Sequence, residues 1–217
     1  MDRHLLRRVG TVVLAASVPL AGLAATPASA APGGVVVRRD VDGDGRKDTV
    51  SVKTGTGSAT VTVDRARGRT LTKRLRTEGV PASAVWHGSA AIDGRRGAEL
   101  VLVTTAGAHT LFNTVLTIQA GELRVSRTPG GASTWVTDGA YTVNVGWRRY
   151  TRDGQVFMTK RVVLREISET WSGRAVTWRW TSGGWVRSGR AKALRPTDDR
   201  VAYRYGGWRV AGLKTYP

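Results

Sequence analysis

Apolar residues in this chain recur with the period of a strand, in short bursts punctuated by glycine, aspartate and serine. Thr49–Thr54 (TVSVKT), Ala59–Asp64 (ATVTVD), Thr70–Leu75 (TLTKRL), Leu100–Thr104 (LVLVT), Thr114–Gln119 (TVLTIQ), Tyr141–Val145 (YTVNV), Ala175–Thr181 (AVTWRWT) and Gly184–Arg187 (GWVR) all alternate in this way. Such segments predict half-buried strands joined by tight turns. Only Val156–Ile167 (VFMTKRVVLREI) admits a helical reading, and the β-branched residues in its middle favour a strand. The chain is therefore expected to be all-β.

Its first thirty residues belong to a different kind of segment. Arg3, Arg7 and Arg8 precede an apolar run, Gly10–Ala25, and Ala28-Ser29-Ala30 places small residues where a signal peptidase acts. This predicts export with cleavage between Ala30 and Ala31, because the run is shorter than the 18 to 20 residues or so that span a bilayer. The Arg7-Arg8 pair leaves open whether a general or a twin-arginine route is used. The expected mature chain, 31–217, forms one domain outside the cell. Asp2, Arg3, Arg7 and Arg8 leave with the leader, so of the net charge of +18 about +16 remains. The absence of cysteine excludes disulfides, thiol catalysis and Cys-ligated metals.

A faint repeat organises the strands. Asp44-Gly45, Asp93-Gly94 and Asp138-Gly139 each precede a β-rich stretch, at spacings of 49 and 45 residues. Periods of this length suit four-stranded propeller blades. The units are expected near 35–80, 84–128 and 133–217, giving a repeat-derived, partial β-propeller-like set of antiparallel sheets. A chance recurrence of a common turn dipeptide is the competing explanation.

The segment Asp40-Val41-Asp42-Gly43-Asp44-Gly45-Arg46-Lys47-Asp48 carries the chemistry. Four carboxylates confined to nine residues repel one another unless a cation joins them. Gly45 permits a sharp turn that directs the Arg46 carbonyl inward, and an all-oxygen donor set suits calcium. The competing reading is a solvated turn capping a hairpin. The twelfth position is Ser51 on an expected strand, not the glutamate of an EF-hand.

The pattern D-x-D-x-D-G-x-x-D followed by a strand resembles the calcium loops of FG-GAP/VCBS repeats, the family that includes the blades of integrin α-chain propellers. The resemblance covers Asp40–Val52 closely and Ala91–Val103 (beginning AIDGRRGAEL) more loosely. It implies that Asp40, Asp42, Asp44, Asp48 and the Arg46 carbonyl hold one calcium ion. In the second unit only Asp93 and Glu99 remain, and no ion is implied. The family's Phe-Gly and Gly-Ala-Pro signatures are absent, and no family motif follows Asp138.

All eight tryptophans lie at or beyond Trp86, and the basic excess also leans towards the C-terminal half. Trp147-Arg148-Arg149-Tyr150, Trp178-Arg179-Trp180, Tyr203-Arg204-Tyr205 and Trp208-Arg209 place arginines beside aromatics. Strand alternation is expected to send the aromatics to one face and the arginines to the other. The functional alternative is a surface for anionic cell-wall polymer or nucleic acid, since guanidinium groups grip phosphates and indoles stack on sugars or bases. An enzyme is not expected. His87 and His109 sit in no ligand or nucleophile pattern, and Glu166 with Glu169 is the sort of pair a glycan hydrolase would use but that also arises by chance. The sequence thus predicts an extracellular calcium-binding module for a protein or glycan partner.

Overall fold

A computed structural model of the chain describes residues 34–215. The expected leader and its Ala30/Ala31 junction lie outside the described residues. Three successive antiparallel meanders account for most of the structure. The first comprises β1 (Gly34–Arg39), β2 (Asp48–Gly55), β3 (Ser58–Asp64) and β4 (Leu71–Arg76), hydrogen-bonded in that order as a separate four-stranded sheet. The second comprises β5 (Trp86–Ala90), β6 (Glu99–Ala106), β7 (Thr110–Gln119) and β8 (Glu122–Ser126). The third runs through β9 (Trp135–Gly139), β10 (Val143–Arg152), β11 (Gln155–Arg165) and β12 (Trp171–Thr181), with β13 (Gly184–Arg187) added at its edge. The chain is all-β, and its sheets form a partial, propeller-like stack in which none closes into a barrel.

The second and third meanders share one sheet because β7 is long enough to pair twice. Its first half, Thr110 to Asn113, pairs with β9, and its second half, from Val115, pairs with β8. The segment Val156–Ile167 is strand along most of its length, as its β-branched residues require, with β11 ending at Arg165. After β13 come β14 (Lys192–Leu194), a five-residue helix α1 (Asp199–Tyr203) and β15 (Gly207–Arg209). The last of these pairs in parallel with β10.

Two cores lie on either side of the second meander. Val50, Val52, Val61 and Val63 of the first sheet pack with Leu100, Leu102 and Leu116. On the other side Val101 and Val115 pack with Trp135, Trp147, Met158 and Trp208. Leu100–Val103 is buried on both faces, so β6 is a central strand rather than the half-buried one its alternation suggested. Burial of each such side chain contributes about 1.5–3 kcal/mol. Trp135 anchors the second core, its ring centroid 4.6 Å from that of Trp147 and 5.5 Å from that of Trp208.

Both faces of the third meander depart from the expectation, since Arg149 and Arg174 lie on the tryptophan face. Trp147, Trp178 and Trp180 do share a face, but Tyr150 and Phe157 lie on the opposite face with Arg148 and Arg161. Aromatics and arginines are therefore mixed there. The cause is a second aromatic layer: Tyr150 stacks on Phe157 at 5.2 Å, and Tyr205, which follows α1 rather than lying on a strand, folds over Arg161.

Candidate functional site

The loop from Asp40 to Asp48 joins β1 to β2. Asp48 begins β2 and is 1% exposed. One of its oxygens accepts the Val41 N–H at 2.9 Å and the other accepts the Ala66 N–H at 2.9 Å, which ties the loop to the β3–β4 connection. Asp40 accepts from Gly43 N at 2.7 Å and from Gly45 N at 3.0 Å, so its two oxygens fold the loop over themselves. Gly43 and Gly45 both have positive φ, +80° and +86°, the left-handed conformation in which a side chain is strained.

These bonds bring carboxylate oxygens of Asp40, Asp42 and Asp48 to within 4.8 Å of one another. Asp44 stands outside that group: it is exposed and accepts the Arg46 N–H at 2.7 Å. The side chains of Arg46 and Lys47 are exposed. Burial, followed by the nearby Asp48 and Asp44 carboxylates, raises the pKa of Asp42 above the usual carboxylate value. The nearest compensating cation is Arg65, whose Nη1 is 3.7 Å from Asp42 Oδ2.

The second meander carries the same loop with different chemistry. Glu99 begins β6, and its Oε2 accepts the Ile92 N–H at 2.6 Å across seven residues, just as Asp48 accepts from Val41. Asp42 Oδ1, Asp93 Oδ1 and Asp138 Oδ1 each accept the N–H two residues on. Asp44 accepts in the same two-residue way, so it is the seven-residue bonds from Val41 to Asp48 and from Ile92 to Glu99 that set the register of the first two units. Asp93 corresponds to Asp42, not to Asp44 as the Asp-Gly spacing suggested, a step of 51 residues (42 to 93). The dipeptide misled because the first loop contains two of them in tandem.

In this register Glu99 stands where the first loop has Asp48, and Arg95 where it has Asp44. Asn144 holds the same pairing position, opposite Gly139 as Asp48 is opposite Arg39 and Glu99 opposite Ala90, which puts Asp138 within the strand, level with Arg38 and Ser89 rather than with Asp42. Arg95 Nη1 bonds Asp93 Oδ2 at 3.1 Å and stacks on Trp180 at 4.8 Å. Glu99 is pushed up to about 7 by burial and by the Asp93 carboxylate. In the third unit Asp138 and Gly139 end β9 rather than lying in a free turn, and Asp138 also accepts the Thr110 hydroxyl. Sequence reading missed Arg65 and Ala66, which reach the first loop from the β3–β4 connection, because neither falls in the motif.

Of the other singled-out residues, His87, Glu166 and Glu169 have structural partners. His87 Nε2 lies 2.9 Å from the Lys214 carbonyl, and burial lowers its pKa. His109 is exposed in the β6–β7 turn. In the turn between β11 and β12, Glu166 pairs with the Ser172 hydroxyl and Glu169 with Arg165. Among the described residues no helix is long and apolar enough to cross a membrane. Compared with protein-family models, with curated proteins and with solved structures, the chain matches none.

Proposed function

We propose that the chain is an extracellular calcium-binding module in which Asp40, Asp42 and Asp48 hold one ion, and that the ion is structural rather than catalytic. The observation that carries this reading is the convergence of three carboxylates within 4.8 Å in a chain of net charge +18. Oxygens bound to one calcium at 2.3–2.6 Å are at most about 5 Å apart, so the spacing fits that ion without rearrangement. Each carboxylate oxygen that accepts a backbone N–H keeps a second lone pair for a metal. The loop also resembles that of FG-GAP/VCBS repeats. With Asp44 turned outward, water and backbone carbonyls, that of Arg46 among them, complete the 6 to 8 oxygens calcium takes. Three carboxylates in an open loop suit the weak range of extracellular modules, about 0.1–1 mM. The bound ion would fix the β1–β2 loop, which itself packs on the second unit through the Ala98 N–H to Asp40 carbonyl bond, leaving the module's surface to a protein or glycan partner.

Isothermal titration of the chain with calcium, paired with melting in calcium and in EDTA, tests the reading. Saturable binding is expected, with stabilisation of about 2.7 kcal/mol at a hundredfold excess over Kd. Asp42→Asn should abolish the response, whereas Asp44→Asn should weaken it only modestly. No saturable binding, or an unchanged response in Asp42→Asn, sinks the assignment.

A further inference from the structure

The face of the third meander that carries Arg161 holds a second charge imbalance, of opposite sign to that of the first loop. Arg161 is 9% exposed, and its Nε and Nη2 are buried with no hydrogen-bond partner. A buried guanidinium with unpaired donors is costly, and buried arginine is ordinarily matched by an acid. Here its neighbours are more arginines. Arg148 pairs with Arg209 across β10 and β15, and Arg161 lies opposite Gly146, two residues from Arg148 on the same face. Such diagonal neighbours are about 7–8 Å apart, close enough for two forks to converge on one group. Burial, then Arg209 and Arg148, depress Arg161 to about 10.

The surroundings supply what an anion needs and nothing that competes with it. Among the described residues Arg148, Arg161 and Arg209 form no ion pair. Asp199 and Glu169 are engaged instead by Arg165, four residues or about 13 Å from Arg161 along β11. The ring of Tyr205 backs the Arg161 guanidinium at 5.3 Å, and that of Tyr150 backs Arg148 at 5.5 Å, which holds both forks in place. Directly opposite Arg148, and one row on from Arg161 on the same face, Thr159 shares one hydrogen bond with Thr177 at 2.8 Å, so one of the two hydroxyls retains a proton to donate.

We propose that Arg148, Arg161 and Arg209 form a binding site for a phosphate group, gripped between guanidinium forks on the β15–β10–β11 face. Three planar donors around one point match a tetrahedral oxyanion with two or three oxygens to satisfy. The site is independent of the cation at the first loop.

The test titrates inorganic phosphate and, separately, dimethyl phosphate into the whole chain in EDTA at constant ionic strength, followed by calorimetry and melting. Saturable binding of inorganic phosphate is expected, weakened at least tenfold in Arg161→Met and in the exposed variants Arg148→Gln and Arg209→Gln. Without phosphate, Arg161→Met should melt at or above the parent temperature, which a purely structural arginine would not allow. Binding of both probes assigns a phosphodiester ligand, and binding of inorganic phosphate alone assigns a free or terminal phosphate. Binding of neither, or affinity unchanged in the exposed Arg148→Gln and Arg209→Gln variants, overturns the proposal. Those two variants decide the matter even if Arg161→Met fails to fold.

Discussion

Replacing Gly43 by alanine tests whether the first loop is braced by the second. A Cβ on Gly43 would lie 2.6 Å from Arg96 Cβ and 2.7 Å from the Arg96 carbonyl carbon, both far inside contact distance. The same seam is tight from the other side. A Cβ on Gly97 would meet the Val41 oxygen at 2.4 Å, and Ala98 N donates to the Asp40 carbonyl at 2.9 Å. Gly45 provides the control, because its φ is nearly the same but nothing lies within 4 Å of its Cβ position. Left-handed strain, about 1–2 kcal/mol, is thus common to Gly43→Ala and Gly45→Ala. Only the former adds overpacking, typically about 1–3 kcal/mol. Urea unfolding in EDTA, which keeps cation binding out of the comparison, should give Gly43→Ala a loss of about 2–5 kcal/mol and Gly45→Ala a loss of about 1–2 kcal/mol. In melting experiments the gap corresponds to roughly 2–12 °C at this size. Equal losses in the two variants would mean that the loops do not brace each other and that the packing argument fails.

Two further outcomes follow from the electrostatics of the loops. Glu99 titrates near 4.5 when unfolded and near 7 when folded, so between those values the native state holds a proton that the unfolded chain lacks. Its contribution is therefore fully present below about pH 4.5 and lost as pH rises through about 7, and Glu99→Gln should flatten that fall in urea-unfolding free energies. A slope that persists in the variant would assign it to another group. At the first loop Arg65 competes with any bound cation for Asp42, so Arg65→Met should tighten calcium binding several-fold by titration. Weaker binding in that variant would show Arg65 to be a support of the site rather than its rival.

The strands were legible wherever alternation and turn residues coincided. Gly184–Arg187 was read with its observed bounds, and Asp48–Gly55 and Ser58–Asp64 to within a residue at each end. The segment Tyr141–Val145 was displaced because Tyr141 and Thr142 lie in the turn before β10. Trp86–Ala90 and Trp135–Gly139 escaped notice, since WHGSA and WVTDG carry small or polar residues at positions that tertiary packing nevertheless buries. The acidic loop was legible because its carboxylates lie within nine contiguous residues. Its competitor Arg65 and its anchor Ala66 were not, because they reach it from 17 and 18 residues beyond Asp48 through the sheet. The arginine face was illegible for the same reason: Arg148, Arg161 and Arg209 come from three strands, and only register brings them together.

The three loops solve one electrostatic problem in three ways. Two carboxylates facing each other in a partly buried turn need a proton, a cation or the loss of one charge. The second unit uses the first two remedies, with Arg95 on Asp93 and a raised pKa at Glu99. The third unit avoids the problem, placing the amide of Asn144 at the pairing position where the others have an acid, while Asp138 lies back in β9 with the Thr110 hydroxyl and the Ala140 N–H. The first unit adds a third carboxylate, Asp40, and offers only Arg65 at 3.7 Å. Excess negative charge therefore survives at one loop of a strongly basic chain, and a divalent cation would supply the remedy its neighbours do not need. Arg161 obeys the converse logic, as a buried cation without an acid, and the oxyanion proposed for it would answer its charge as the proposed calcium would answer that of Asp40, Asp42 and Asp48.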